Sequence, residues 1–241
     1  MSWAIFLPVA GLAALTGSPG PEVMVEDTKL VVIDPGHGGR NDGCAGAGVH
    51  EKEVTLGISQ RLAGHLKAAG YSVVLTRTGD DYLTLRQRTR LANELDADLF
   101  ISVHANSSGR GSVRGFETHV LSERGTRIDS PVLRRGEGTP RVGVDPEVAQ
   151  MLSAVEHGQS LLSAADIAVK IQRKLAGLRG KANNRGVRQD SHHVLLGATM
   201  PAVLVEVGFL DHPIEGAELV QPAVQDRIAS SLASAISDSL R

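Results

Sequence analysis

The sequence predicts a single α/β domain of three layers, a mixed, mostly parallel sheet with helices on both faces. Three observations carry that expectation. The chain has 241 residues, enough for one domain and two at most. Short β-branched runs alternate with longer stretches of helical period, the pattern of a sheet with helices packed on it. Several of the short runs are apolar at nearly every position, as strands covered on both sides are. No internal repeat or interdomain linker interrupts residues 26–241.

The elements follow in order. Trp3 to Leu15 is an apolar run. It is too short for a transmembrane helix, which needs roughly 20 residues, and has the length of the apolar core of a secretory signal. Thr16, Gly17 and Ser18 follow, then Pro19-Gly20-Pro21, although no Lys or Arg precedes the run. Residues 1–25 are expected to be a signal-like or disordered segment outside the fold. Lys29 to Asp34 reads as a buried strand ending in the loop Pro35-Gly36-His37-Gly38-Gly39. Glu51 to Ala69 reads as a helix, with Val54, Ile58, Leu62 and Leu66 four residues apart and Gly70 as its stop. Ser72 to Thr76 is a second strand, Thr84 to Leu95 a second helix, and Leu99 to Val103 a third strand ending at His104. Gly115 to Leu121 reads as a fourth strand.

Residues 123 to about 158 break the rhythm and read as an insert. Asp145-Pro146 looks like an N-cap followed by proline at the first helical position. A short helix to His157 would place Val148, Met151, Leu152 and Val155 on one face. A separate helix is expected over Leu161 to Leu178. Val203 to Val207 is a nearly continuous apolar strand interrupted by Glu206, and Val224 to Leu240 closes the chain as an amphipathic helix.

Composition excludes several functions. With 25 Lys and Arg against 27 Asp and Glu, the net charge of −2 argues against a basic nucleic-acid surface. Aromatic residues make up 3% of the chain, too few for a base-stacking platform. One cysteine, Cys44, excludes an internal disulfide and a cysteine-based zinc site. The glycines of residues 36–48 lack the Gly-Lys-Ser/Thr that a phosphate loop needs.

In open α/β sheets, ligands bind beyond the carboxyl ends of the strands. The first strand delivers His37 there, the third His104 and the last Glu206. The glycine loop can fold the first helical turn, with Glu51, back to the same edge. Two imidazoles and a carboxylate suit catalytic zinc, with the fourth position open to water whose pKa falls to about 7. A separate carboxylate must then act as general base and later as general acid, and Glu206 is the best placed. Each residue alone also reads otherwise. His37 and His104 read as loop histidines, Glu51 as a carboxylate favoured by the helix dipole, and Glu206 as a salt-bridged core group. Glu51 and Glu53 point about 200° apart, so one of them faces the site, and spacing alone does not say which. His65 reads as a surface residue, His192 and His193 as surface residues or as lining the cleft, and Cys44 as incidental.

The stretches Val32-Ile-Asp-Pro-Gly-His-Gly-Gly39, Glu51-Lys-Glu-Val-Thr-Leu56 and Ser102-Val-His-Ala-Asn-Ser107 occur in this order. Gly115-Phe-Glu-Thr-His-Val-Leu-Ser122, Asn184-Arg-Gly-Val-Arg188 and Pro201-Ala-Val-Leu-Val-Glu-Val-Gly-Phe-Leu210 follow, with Thr76-Arg-Thr78 and Arg88 to Asn93 between. Together they resemble the zinc-dependent N-acetylmuramoyl-L-alanine amidases over residues 29–240. The resemblance implies that His37, Glu51 and His104 bind one zinc ion and that Glu206 is the catalytic carboxylate. It implies hydrolysis of the amide between the lactyl group of N-acetylmuramic acid and L-alanine of peptidoglycan stem peptides. It further implies export to the periplasm or extracellular envelope, with no stable membrane anchor. By position, residues 123–158 resemble the regulatory insert of relatives that an activator protein switches on. A helix of that insert would cover the cleft, with Glu147 or Glu156 reaching the zinc, or pack permanently on the domain edge. His192-His193 and Asp211-His212-Pro213 depart from the family pattern, which bears on substrate contacts. The competing readings are a zinc peptidase and a catalytically dead cell-wall-binding protein.

Overall fold

The computed structural model describes residues 28–122, 146–190 and 192–241, with side chains omitted at 146–154 and 190. The signal-like segment and residues 123–145 of the insert lie outside the described residues. The strands are β1 (Leu30–Pro35), β2 (Ala45–Gly46), β3 (Val49–His50), β4 (Ser72–Leu75), β5 (Leu99–Asn106), β6 (Phe116–Leu121), β7 (Asn184–Asp190) and β8 (Ala202–Phe209). The α-helices are α1 (Glu51–Ala68), α2 (Leu85–Glu94), α3 (Pro146–Arg179), α4 (Pro213–Leu219) and α5 (Pro222–Leu240).

Six strands form one sheet in the order β4-β1-β5-β8-β6-β7. Pairing is parallel everywhere except between β6 and β8, which run antiparallel. The sheet is therefore mixed and mostly parallel. One face carries Val31, Ile33, Ile101, Val203 and Val205 against α1, α3 and α5. The other carries Val32, Phe100 and Leu204 against Ala92 of α2 and Leu195 and Met200 of the segment before β8. This is the three-layer arrangement expected from near-continuous apolar strands.

Local chemistry explains the helices. Val54, Ile58, Leu62 and Leu66 of α1 are all buried, the stripe their spacing predicts. Thr84 caps α2 by accepting from the Gln87 backbone, and the Gln87 side chain returns the bond. His212 caps α4 by accepting from the Glu215 backbone, with Pro213 at the first helical position.

Two readings of the sequence differ from the structure. The helices expected from Asp145 to His157 and from Leu161 to Leu178 are one helix, α3, of 34 residues. The polar stretch Gly158-Gln159-Ser160 holds no proline, and an interior glycine costs only about 1 kcal/mol, too little to end a helix packed along its C-terminal half. Ala164, Ile167, Ala168, Ile171 and Leu175 supply that packing, while Val155 on the expected apolar face is 59% exposed. The strand β7 was hidden because Asn-Arg-Gly-Val-Arg-Gln-Asp lacks an apolar alternation, and an edge strand needs little of one.

Candidate active site

The carboxyl ends of β1, β5 and β8 lie side by side, and the site is built on them. As β1 ends, the Gly36 N–H donates to Val103 O at 2.9 Å. A Cβ at Gly36 would stand 2.5 Å from the His104 ring, so only glycine lets the strands approach here. His37 then takes the left-handed conformation, φ 61°, unusual for a residue with a side chain. The loop closes through Asn41, whose Oδ1 lies 3.0 Å from His37 Nδ1.

The loop delivers the first turn of α1 to the same edge. Glu51 Oε1 lies 3.0 Å from His37 Nε2 and 2.9 Å from His104 Nδ1. It also accepts from the Ala105 N–H at 3.1 Å, and Oε2 accepts from the Cys44 N–H at 3.0 Å. One potential ligand atom from each of His37, Glu51 and His104 falls within 4.8 Å of the others. Glu53 is exposed on the opposite side of α1, which resolves the choice that spacing left open. Burial pushes the Glu51 carboxyl up, but hydrogen bonds and charges from His104 and His37 more than reverse it and hold it far below the usual range. Burial likewise lowers the His104 pKa, and its bond to Glu51 with the nearby Glu206 charge raises it overall.

Glu206 stands in register with His104 on one side and with Glu117 on the other. Its Oε2 is buried with no hydrogen-bond partner among the described residues. Burial pushes its pKa up to about 7. Glu51 and Glu117 add to the rise, and His104 and His119 oppose it.

Residues that the sequence reading did not place hold this edge in shape. Asp34 is fully buried and accepts from Arg88 Nη1 at 2.8 Å, Ser102 Oγ at 2.7 Å and Thr76 Oγ1 at 2.5 Å. Arg88 also donates to the carbonyls of Pro35 at 2.8 Å and His37 at 2.7 Å. Arg77 donates to the carbonyls of Pro35 at 3.0 Å and Gly36 at 2.7 Å. Two buried guanidiniums thus fix three successive carbonyls of the His37 loop. Their only signal in sequence was membership in the Thr76-Arg-Thr78 and Arg88–Asn93 stretches. Replacing Arg88 with Ala leaves the Asp34 charge buried without its ion-pair partner. The expected loss is about 3–5 kcal/mol of stability, read from the shift in urea midpoint.

A second polar group walls the site. Glu117 accepts from Asn106 Nδ2 and Arg185 Nε, each at 3.0 Å, and lies 3.5 Å from His119 Nε2. His119 first, then Arg185, hold its carboxyl down at about 2 against the opposing effect of burial. His119 Nδ1 in turn lies 2.8 Å from His192 Nε2, with the rings edge to face. His192 is therefore not the surface residue its loop context suggested; its partner on β6 is remote in sequence. His193 is exposed as expected, and His65 pairs with Asp226 at 2.9 Å, away from the edge. Cys44 is half-buried, and burial with the adjacent Glu51 pushes its thiol up to about 12, so it holds its proton.

A carboxylate able to take and return a proton near neutral pH stands on the strand beside His104, one of three metal-capable donors at this edge. The class such an edge defines is an α/β hydrolytic enzyme. More narrowly, the chain belongs to the N-acetylmuramoyl-L-alanine amidase family, whose model matches residues 31–238. The N-acetylmuramoyl-L-alanine amidase AmiA of Salmonella typhimurium is 30% identical over 217 residues, covering 86% of this chain and 75% of that protein. Among solved structures, the amidase AmiC2 of Nostoc punctiforme superposes with a TM-score of 0.67 at 28% identity, covering 88% of this chain and 97% of its own. An N-acetylmuramoyl-L-alanine amidase of Clostridium difficile 630 gives a TM-score of 0.69 at 27% identity, covering 88% and 97% respectively.

Proposed function

We propose that the chain hydrolyses the amide between the lactyl group of N-acetylmuramic acid and L-alanine of peptidoglycan stem peptides. In this reading His37, Glu51 and His104 hold one zinc ion and Glu206 is the catalytic carboxylate. The observation that carries it is the convergence of these residues from β1, α1, β5 and β8 on one sheet edge.

The residues fit the ion. Two imidazole nitrogens and a carboxylate are a common catalytic zinc set. Asn41 fixes the His37 ring from its outer nitrogen, and the Cys44 and Ala105 N–H groups orient Glu51, the outer support that zinc ligands require. Bound zinc supplies Lewis acidity toward the amide carbonyl and acidifies water. Glu206 accepts the water proton and returns it to the departing L-alanine nitrogen. Its raised pKa suits both roles, because a proton carrier works best near the operating pH. A nearby cation lowers that value from the one burial alone sets.

Digestion of purified peptidoglycan, with and without a zinc chelator, tests the reading. Free stem peptides with an unblocked L-alanine, lost on chelation, are expected by mass spectrometry. Cuts within the stem peptide would make the chain a peptidase instead.

Regulation by an activator acting on the insert, and export to the periplasm or extracellular envelope, belong to the same proposal. Among the described residues no helix is long and apolar enough to cross a membrane. Removal of residues 125–155 is expected to raise basal turnover; a folded variant with unchanged turnover would refute autoinhibition. Mass measurement of the chain recovered from the envelope is expected to show residues 1–25 removed.

A further inference from the structure

A pocket of about 430 Å³ opens between the end of α3, α4 and α5. Guanidiniums from three separate parts of the chain line it. Arg114 precedes β6, Arg179 ends α3 and Arg227 lies on α5. The Arg179 side chain is 8% exposed. Its Nη2 donates to Glu215 Oε1 at 2.6 Å, and its Nε is buried with no partner among the described residues. Glu215 has little left to offer, because its other oxygen accepts from the N–H groups of Gly115 at 3.0 Å and Phe209 at 2.6 Å. Arg114 and Arg227 are exposed and make no hydrogen bond or ion pair among the described residues.

Two exposed guanidiniums without partners among the described residues, lining one pocket with the guanidinium of Arg179, suit an oxyanion. The rest of the wall narrows the ligand. Ile214, Leu178 and Ile228 provide apolar surface that a bare inorganic anion would leave unused. Glu218, half-exposed and 3.7 Å from Arg179, repels a multiply charged anion and attracts an amine. Carboxylate, amine and short aliphatic groups occur together in a peptide.

We propose that this pocket binds a short peptide through a free carboxylate on Arg114, Arg179 and Arg227, with an amine toward Glu218. The site stands apart from His37, Glu51, His104 and Glu206, none of which lines it. The inference is independent of the catalytic reading; if that reading holds, the released stem peptide is a ligand of this kind.

The test is calorimetric titration of the whole chain with the tripeptide L-Ala-D-Glu-L-Lys. A saturable site is expected. Its affinity should fall about tenfold or more in the Arg114→Ala, Arg227→Ala double variant and by a similar factor when the probe's carboxyl groups are amidated. In His37→Ala it should stay within about twofold. Both arginines are exposed, so the double variant should keep the wild-type circular dichroism and unfolding midpoint. Absence of saturable binding would overturn the proposal. So would loss of binding in His37→Ala with retention in the arginine variant, which would place the peptide in the catalytic cleft. Displacement of the tripeptide by an equal concentration of inorganic phosphate would overturn the peptide assignment.

Discussion

Glu206→Gln is expected to keep the fold and the metal content while turnover falls about 10²–10⁴-fold, the usual contribution of a positioned proton carrier. Glutamine matches the shape of glutamate and leaves His37, Glu51 and His104 untouched, but it neither takes the water proton nor returns it to the leaving nitrogen. The same substitution has a thermodynamic signature. In metal-free protein the Glu206 pKa is raised by burial from 4.5 to about 7, so between these values the folded state holds a proton that the unfolded chain releases. Folded wild type therefore loses stability as pH rises through that window, and Glu206→Gln does not. Well above pH 7 the variant should be more stable by about 3 kcal/mol, read from parallel urea titrations across the window. Wild-type turnover in the variant would remove Glu206 from the chemistry. A variant that is inactive but no more stable at high pH would show that burial does not set its pKa.

His37→Ala should abolish both zinc retention and activity. Removing one of three donors leaves an imidazole and a carboxylate, too few to hold the ion against dialysis. The effect should exceed that of Asn41→Ala, which removes the group orienting the His37 ring and its bond from the Gly43 N–H but no metal donor. An outer partner of that kind typically costs about 10–100-fold in affinity. Zinc content after dialysis, measured for wild type and both variants, checks the order. Full zinc in His37→Ala would refute ligation by that residue. Equal losses in the two variants would mean that the Asn41 side chain is needed to hold the whole His37 loop, not the ring alone.

How far the site was legible follows from the reach of each signal. His37 and His104 were visible because strands end where their apolar runs end, and the residues that follow meet at one edge; Glu206 was visible because it interrupts an apolar run on the last strand. Glu51 was not separable from Glu53 by spacing; the Glu51-Lys-Glu53 stretch of the resemblance favoured it, and the packing of α1 leaves Glu53 exposed. Asp34 looked like the end of a strand, and nothing nearby in sequence announced that Arg88, 54 residues away, would neutralise it. His119 and His192 are 73 residues apart and carry no shared local pattern, so their contact was hidden although His119 lies in a motif of the resemblance.

The sequence by itself determined the class of fold, because periods of two and of about 3.6 residues are local properties that burial turns into strands and helices. It also determined which chemical groups the strand ends would present, and it carried enough ordered motifs to place the family. Only the tertiary structure decided the strand order, the antiparallel β6 that stands Glu117 beside Glu206, and the joining of two expected helices into α3. It alone decided that Arg77 and Arg88 seat the His37 loop and that three arginines line a pocket between the end of α3, α4 and α5. Strand neighbours and partners of buried charges are settled by which long-range packing satisfies every buried donor, acceptor and charge at once. No window of neighbouring residues contains that condition.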